Sequence, residues 1–174
     1  MSKLLIAKTD KVTRFVAVHY IPDSKFEETD TESSHFDGIT DINAICLRIA
    51  ANYGHEAVGK EAPTQTEVEK WLEDTVVEPH QLNELARTLN EYLATRTYLV
   101  ADYLTVADLV AFVRIYPFAF KLPKPAQPGL CNLFRWVDLI QHSTDISKAG
   151  LENITVSLEA PNVQPKVKKG DKKG

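Results

Sequence analysis

The stretch TYLVADYLTVADLVAFVRIYPF, residues 97–118, decides the fold. It is apolar almost throughout, yet Thr105 and Asp108 stand three apart at the front of its most apolar part. An α-helix leaves its first N–H groups without intrahelical partners. Inside a protein each such group costs on the order of 1–3 kcal/mol if it stays unpaired. Thr105 at the N-cap can accept from the backbone of Asp108. Asp108, at the third helical position, can reach back to the backbone of Thr105, and its charge suits the positive helix end. Leu104 and Leu109 flank this box as a possible hydrophobic staple. Val110, Phe112, Val113, Ile115 and Tyr116 follow, apolar all round, which is the pattern of a helix in the centre of a domain. The capping pair Thr105 and Asp108 therefore reads as architecture rather than chemistry.

Outward from this helix the chain keeps the same period. Residues 79–99 set Leu82, Leu85, Leu89, Tyr92 and Leu93 on one stripe, and residues 129–144 bring Leu133, Trp136, Val137 and Ile140 together. Thr64 and Glu67 match a capping box ahead of Val68, Trp71, Leu72 and Thr75. Trp71 and Trp136 both read as core. Residues 41–54 predict a helix capped by Asp41 and ended by Gly54, with Ile42, Ile45 and Ile49 inward.

Nearer the N-terminus, residues 3–7 suit a buried strand. Thr9 offers a cap for a helix over 11–20, residues 23–35 read as a flexible acidic loop, and Gly38 supplies a tight turn. The expected organisation is mainly α: a small α/β part over 1–54, a helical domain over 55–150, and an extended tail over 151–174.

Composition narrows the function. The net charge of −4 divides into −6 for residues 1–150 and +2 for the rest, where five lysines cluster. His19, His35, His55, His80 and His142 have no metal-type spacing with one another or with the two cysteines, and seven scattered glycines form no phosphate loop. No metal or cofactor site is expected. Cys46 and Cys131 lie in helical apolar contexts without a secretory leader, so both read as reduced, buried and cytoplasmic. Asp102, Asp108 and Arg114 interrupt the longest apolar run, which leaves no membrane span. Asn153-Ile-Thr155 matches a glycosylation acceptor, with little meaning in a chain of this kind.

Four segments carry a resemblance. LTVADLVAF (104–112), the run LNEYLATRTYLVADYLTVAD (89–108), NLFRWVDLIQH (132–142) and GITDINAICLRIA (38–50) resemble, in order and spacing, segments of the glutathione-S-transferase fold. The resemblance implies an all-helical C-terminal bundle behind a thioredoxin-like part shortened by about one strand and one helix. It also shows what catalysis would need. A transferase places a Tyr, Ser or Cys after its first strand, where this chain has Thr9 and Asp10. It places a proline before its third strand, and Pro22 lies far from the turn at Gly38. It grips the peptide with a Glu/Gln-Ser pair, where this chain has Asp41 and Ile42, and isoleucine cannot donate. No catalytic residue is expected.

The chain looks more like the synthetase-associated members of that fold than like free transferases. The resemblance implies pairing with GST-like domains of aminoacyl-tRNA synthetases, or with a second copy as a homodimer, through two surfaces. One is the last core helix, with Arg135 of the R-W pair beside Asp138 and His142. The other is the helix of residues 41–53, with Arg48 and Asn52 outward. It further implies that Lys166, Lys168, Lys169, Lys172 and Lys173 hold tRNA weakly and without sequence readout, ahead of a tRNA-binding domain that this sequence lacks. The alternatives are the N-terminal domain of an elongation factor 1 subunit and a divergent active glutathione transferase.

Overall fold

The computed structural model describes residues 3–22 and 25–159. The chain opens with strand β1 (Leu4–Ala7) and helix α1 (Lys11–Tyr20). The cap of α1 is Asp10 rather than the expected Thr9. Its Oδ1 accepts from Thr13 N at 2.9 Å, and its Oδ2 accepts from Ser34 Oγ at 2.6 Å, so the carboxylate has two reasons to sit there.

The acidic run expected to be a flexible loop contains a strand. Strand β2 (Phe26–Thr29) runs parallel to β1 in the register Leu4↔Phe26 to Ala7↔Thr29. Its charge hid it. β2 is an edge strand, and edges tolerate outward charges that a central strand could not. Lys3 pairs with Glu27, and Arg14 Nη1 meets Glu28 Oε1 at 2.8 Å. On the other edge of β1, Leu5 and His35 exchange backbone bonds of 2.9 and 2.8 Å. The predicted turn follows, with Asp37 at φ 52° and Gly38 at φ 80° between Phe36 and Ile39. Two positive φ values are the signature of a two-residue hairpin turn.

Helix α2 (Ile42–Tyr53) starts at Asp41, whose Oδ1 accepts from Ala44 N at 2.8 Å, and closes at Gly54. Ile45 and Ile49 are fully buried and Ile42 half-buried. A Cβ on Gly54 would lie 2.8 Å from Ala57 Cβ and 2.9 Å from both Ala50 O and Tyr20 Cε1. Gly54→Ala should therefore lower the unfolding free energy by about 1–3 kcal/mol, read from the urea midpoint.

Helix α3 (Ala62–Asp74) begins earlier than its expected capping box. Its N-cap is Glu61, Pro63 lies in the first turn, and Thr64 and Glu67 fall inside the helix. A proline in the first turn fixes φ and needs no N–H, so it sets the start. Helix α4 (Leu82–Tyr92) lies between short 3-10 turns at Pro79–Gln81 and Leu93–Thr95. It stops short of the expected Leu99, because Leu99 N donates to the Asp108 carboxylate at 2.9 Å instead of continuing a helix. Helices α5 (Val106–Lys121) and α6 (Cys131–Ser143) complete the bundle.

One buried cluster runs through both parts of the chain. Phe15 of α1 stacks on Phe112 of α5 at 5.4 Å, and Phe112 meets Trp136 of α6 at 6.3 Å. Trp71 and Trp136 are core, as expected. The two cysteines differ: Cys46 is buried, whereas Cys131, at the first position of α6, is exposed, contrary to expectation.

Residues 151–159 carry no helix or strand, and they are tied to the bundle. Leu151 and Ile154 are buried. Gln141 donates to Ile154 O and accepts from Ile154 N, both at 2.9 Å. Gln127 does the same for Thr155 O (3.1 Å) and Ser157 N (2.7 Å). Each side-chain amide replaces one rung of a sheet. No helix among the described residues is long and apolar enough to cross a membrane.

Candidate docking faces and the transferase-type cleft

The expected box at the start of α5 is present, and it has more donors than the sequence foretold. Asp108 is fully buried. Its Oδ2 accepts from Thr105 N at 3.1 Å and Thr105 Oγ1 at 3.0 Å, and its Oδ1 accepts from Leu99 N at 2.9 Å and Trp136 Nε1 at 3.0 Å. Burial pushes the carboxyl above its usual range, and these hydrogen bonds pull it back. Its four donors come from the Leu99 turn, the start of α5 and α6, so the carboxylate ties these three together.

The cleft where a transferase would hold its peptide lies between the β1–α1 turn, the start of α2 and α5. It measures about 540 Å³. Three groups at or beside it are held by the fold. Asp10 caps α1 and holds Ser34, and Asp41 caps α2. Tyr116 Oη donates to Glu152 O at 2.8 Å and accepts from Glu152 N at 2.9 Å. Leu151 and Ile42 give the cleft apolar walls. The Cys46 thiol nearby is fully buried, and burial pushes it up to about 12, so it stays protonated at neutral pH.

Of the expected docking residues, Arg135 and His142 of α6 are exposed and Asp138 is half-buried. Asp138 Oδ1 lies 3.3 Å from His142 Nδ1 and accepts from Gln141 Nε2 at 3.0 Å. Arg135 turns elsewhere: its Nη2 donates to Leu93 O at 2.7 Å and Arg96 O at 2.8 Å. It thus caps the end of α4, where cations are favoured. Arg48 and Asn52 are exposed on α2, opposite Ile45 and Ile49. Lys166, Lys168, Lys169, Lys172 and Lys173 lie outside the described residues.

Two organising residues escaped the sequence. Arg114 of α5 donates through Nη1 to Leu72 O (2.6 Å) and Thr75 Oγ1 (3.0 Å), and through Nη2 to Asn43 Oδ1 (2.7 Å). It closes the end of α3 and ties it to α2. Its only signal was a cation inside an apolar run. Asn90 of α4 caps α6 from outside, since its Oδ1 accepts from Asn132 N at 3.0 Å and Leu133 N at 3.1 Å. Nothing in sequence marks that role.

A short βαβ part sharing one core with a bundle built on a capped central helix defines a glutathione-transferase-like domain. Solved structures agree. The TM-score is 0.68 with glutathione S-transferase unclassified 2 from Bombyx mori, at 14% identity over 85% of this chain and 91% of that one. It is 0.65 with a chain from crystal structures of two binary sub-complexes of the yeast aminoacyl-tRNA synthetase complex, at 17% identity over 86% and 92%. At these identities the likeness is one of fold.

Sequence is more particular. Residues 65–144 match the Arc1p_N_like family, described as nuclear-export cofactor Arc1p. The chain is 31% identical over 100 residues to the tRNA-aminoacylation cofactor arc1 of Schizosaccharomyces pombe, covering 54% of this chain and 22% of that protein. It is 32% identical over 115 residues to eukaryotic translation elongation factor 1 epsilon-1 of Cricetulus griseus, covering 62% and 66%. It therefore spans only part of the relatives it matches. The chain is a glutathione-transferase-like domain whose sequence is similar to that of Arc1p-like aminoacylation cofactors.

Proposed function

We propose that this domain is non-catalytic and assembles aminoacyl-tRNA synthetases by docking against their GST-like domains in the cytoplasm, with its lysine-rich segment aiding tRNA capture. The similarity of residues 65–144 to the aminoacylation cofactor carries the reading. The cleft supports it, because its carboxylate Asp10 and its phenol Tyr116 are tied into the fold. The α6 face, with Arg135, Asp138 and His142, is the first docking surface. The α2 face, with Arg48 and Asn52, is the second. Lys166, Lys168, Lys169, Lys172 and Lys173 make the phosphate contacts. A second reading, a subunit of elongation factor 1, draws on the similarity to elongation factor 1 epsilon-1.

The test is the mass of the chain in solution by light scattering, alone and with the GST-like extension of a synthetase. Asp138→Lys and His142→Glu are cleaner probes than Arg135→Ala. Loss of the arginine also frees two carbonyls at the end of α4 and costs on the order of 1 kcal/mol in the monomer. We expect either α6 variant to remain folded and to lose its partner, with an affinity drop of about tenfold or more. A complex that survives both and yields only to Arg48→Ala would move docking to α2. Absence of any complex, together with retention on glutathione-agarose, would overturn the proposal in favour of a divergent transferase.

A further inference from the structure

The negative charge of the body is concentrated. Residues 61–91, spanning α3 and α4, hold eight acidic and two basic residues, a net of −6 that equals the net charge of residues 1–150. Between these helices runs a groove of about 460 Å³, lined by α3, the turn after it and α4. Trp71 and Tyr92 form its floor, edge to face at 4.8 Å. Glu67 fixes the phenol, accepting from Tyr92 Oη at 2.7 Å, while Asp74 and Glu84 line the sides. The floor already receives a cation at one end, where the Arg96 guanidinium lies 4.5 Å from the Tyr92 ring centre. Aromatic rings beside carboxylates are suited to ammonium groups.

The chain carries a segment of matching chemistry. Beyond Glu159 come 15 residues with five lysines and one acidic residue. Ser157 N is held by Gln127 Oε1 at 2.7 Å, in the turn that leads into α6. The first N–H groups of α6 are capped by Asn90 of α4. The chain therefore leaves the described fold beside α4. The groove is lined along the same helix by Glu84, Leu85, Thr88 and Tyr92, and the 11 residues of α4 are about 16 Å long. Six residues lie between Glu159 and Lys166, and the seven steps from one to the other span up to about 25 Å.

We propose that the lysine-rich segment Lys166–Lys173 docks, within the same molecule, in the acid-lined aromatic groove between α3 and α4. The contact is electrostatic and short-ranged, held by carboxylates at the sides and rings beneath, and weakened by salt. The docking stands without any assumption about RNA. If the segment also serves tRNA, the groove competes with phosphates for the same lysines, and that consequence alone rests on the proposed function.

Zero-length carbodiimide coupling of the full chain, with the new amide bonds mapped by mass spectrometry, tests this. At about 0.01 M ionic strength, where charges act over about 30 Å, we expect bonds from Lys166–Lys173 to Glu84, Asp74 or Glu67 within one chain, falling about tenfold at about 1 M. Replacing both Asp74→Asn and Glu84→Gln should reduce all tail–body bonds by a similar factor without moving them elsewhere. Three results would overturn the proposal. These are bonds spread over exposed carboxylates generally, Asp30 and Glu32 included, bonds that join labelled to unlabelled copies in a mixture, and no tail–body bonds at low ionic strength.

Discussion

Asp108→Ala should lose about 3–5 kcal/mol of unfolding free energy. Leu99 N, Thr105 N, Thr105 Oγ1 and Trp136 Nε1 would all lose their acceptor in a fully buried place. Each orphaned donor costs about 1–3 kcal/mol before water or repacking relieves it. Domains of this kind have about 5–15 kcal/mol in total, so the variant should unfold at a much lower urea midpoint and lose near-ultraviolet signal from Trp136. Asp108→Asn keeps an oxygen for Leu99 N and Trp136 Nε1 but turns an NH2 group towards Thr105 N. Its cost should be smaller, about 2 kcal/mol.

The pH dependence has a definite sign. Burial holds the folded carboxyl above its unfolded value, so the folded state binds that proton more tightly. The contribution is fully present at low pH and is lost as pH rises through the folded pKa. The advantage of wild type over Asp108→Asn should therefore grow as pH falls from neutral. An advantage that shrinks would show the four hydrogen bonds outweighing burial.

Arg114→Ala should cost about 2–4 kcal/mol. One guanidinium serves Leu72 O, Thr75 Oγ1 and Asn43 Oδ1, on two different helices. Asn43 Nδ2 reaches Leu72 O at 3.2 Å and Thr75 Oγ1 donates to Trp71 O at 2.8 Å, so the four groups form one network. Arg114→Lys should recover less than half of the loss, because a single ammonium cannot span both helices as a planar fork does. Equilibrium unfolding of the two variants checks this. Equal midpoints for the lysine variant and wild type would show that charge alone, and not the fork, holds α3 to α2.

These cases show what the sequence could and could not reveal. Periodicity placed the buried faces of α2, α4, α5 and α6 correctly, because a stripe of apolar residues reports directly on burial. The capping box at Thr105 was legible because both its members are local. The other two donors to Asp108 come from Leu99 and Trp136, which only the tertiary structure brings near. β2 was hidden because an edge strand needs little apolar content. The Thr64–Glu67 pattern misled because Pro63 had already set the start of α3. Arg135 read as outward, and it is exposed, yet its nitrogen serves carbonyls on a helix 39 and 42 residues away in sequence. Gln127 and Gln141 carry no periodic signal, although they hold the chain after Gly150 against the bundle.

The stacking of Phe15 on Phe112 has a practical corollary for anyone seeking the smallest excisable piece. The segment that matches the cofactor family, residues 65–144, contains the central helix but not all of the side chains that cover it. Phe15 shields one flank of Phe112, Asn43 completes the Arg114 network, and Leu151 and Ile154 close the far end over Gln141. Cut out at those limits, the bundle would expose part of its own centre. The unit of inheritance visible in the sequence match is smaller than the unit of folding, and a minimal fragment has to run from β1 to at least Ser157.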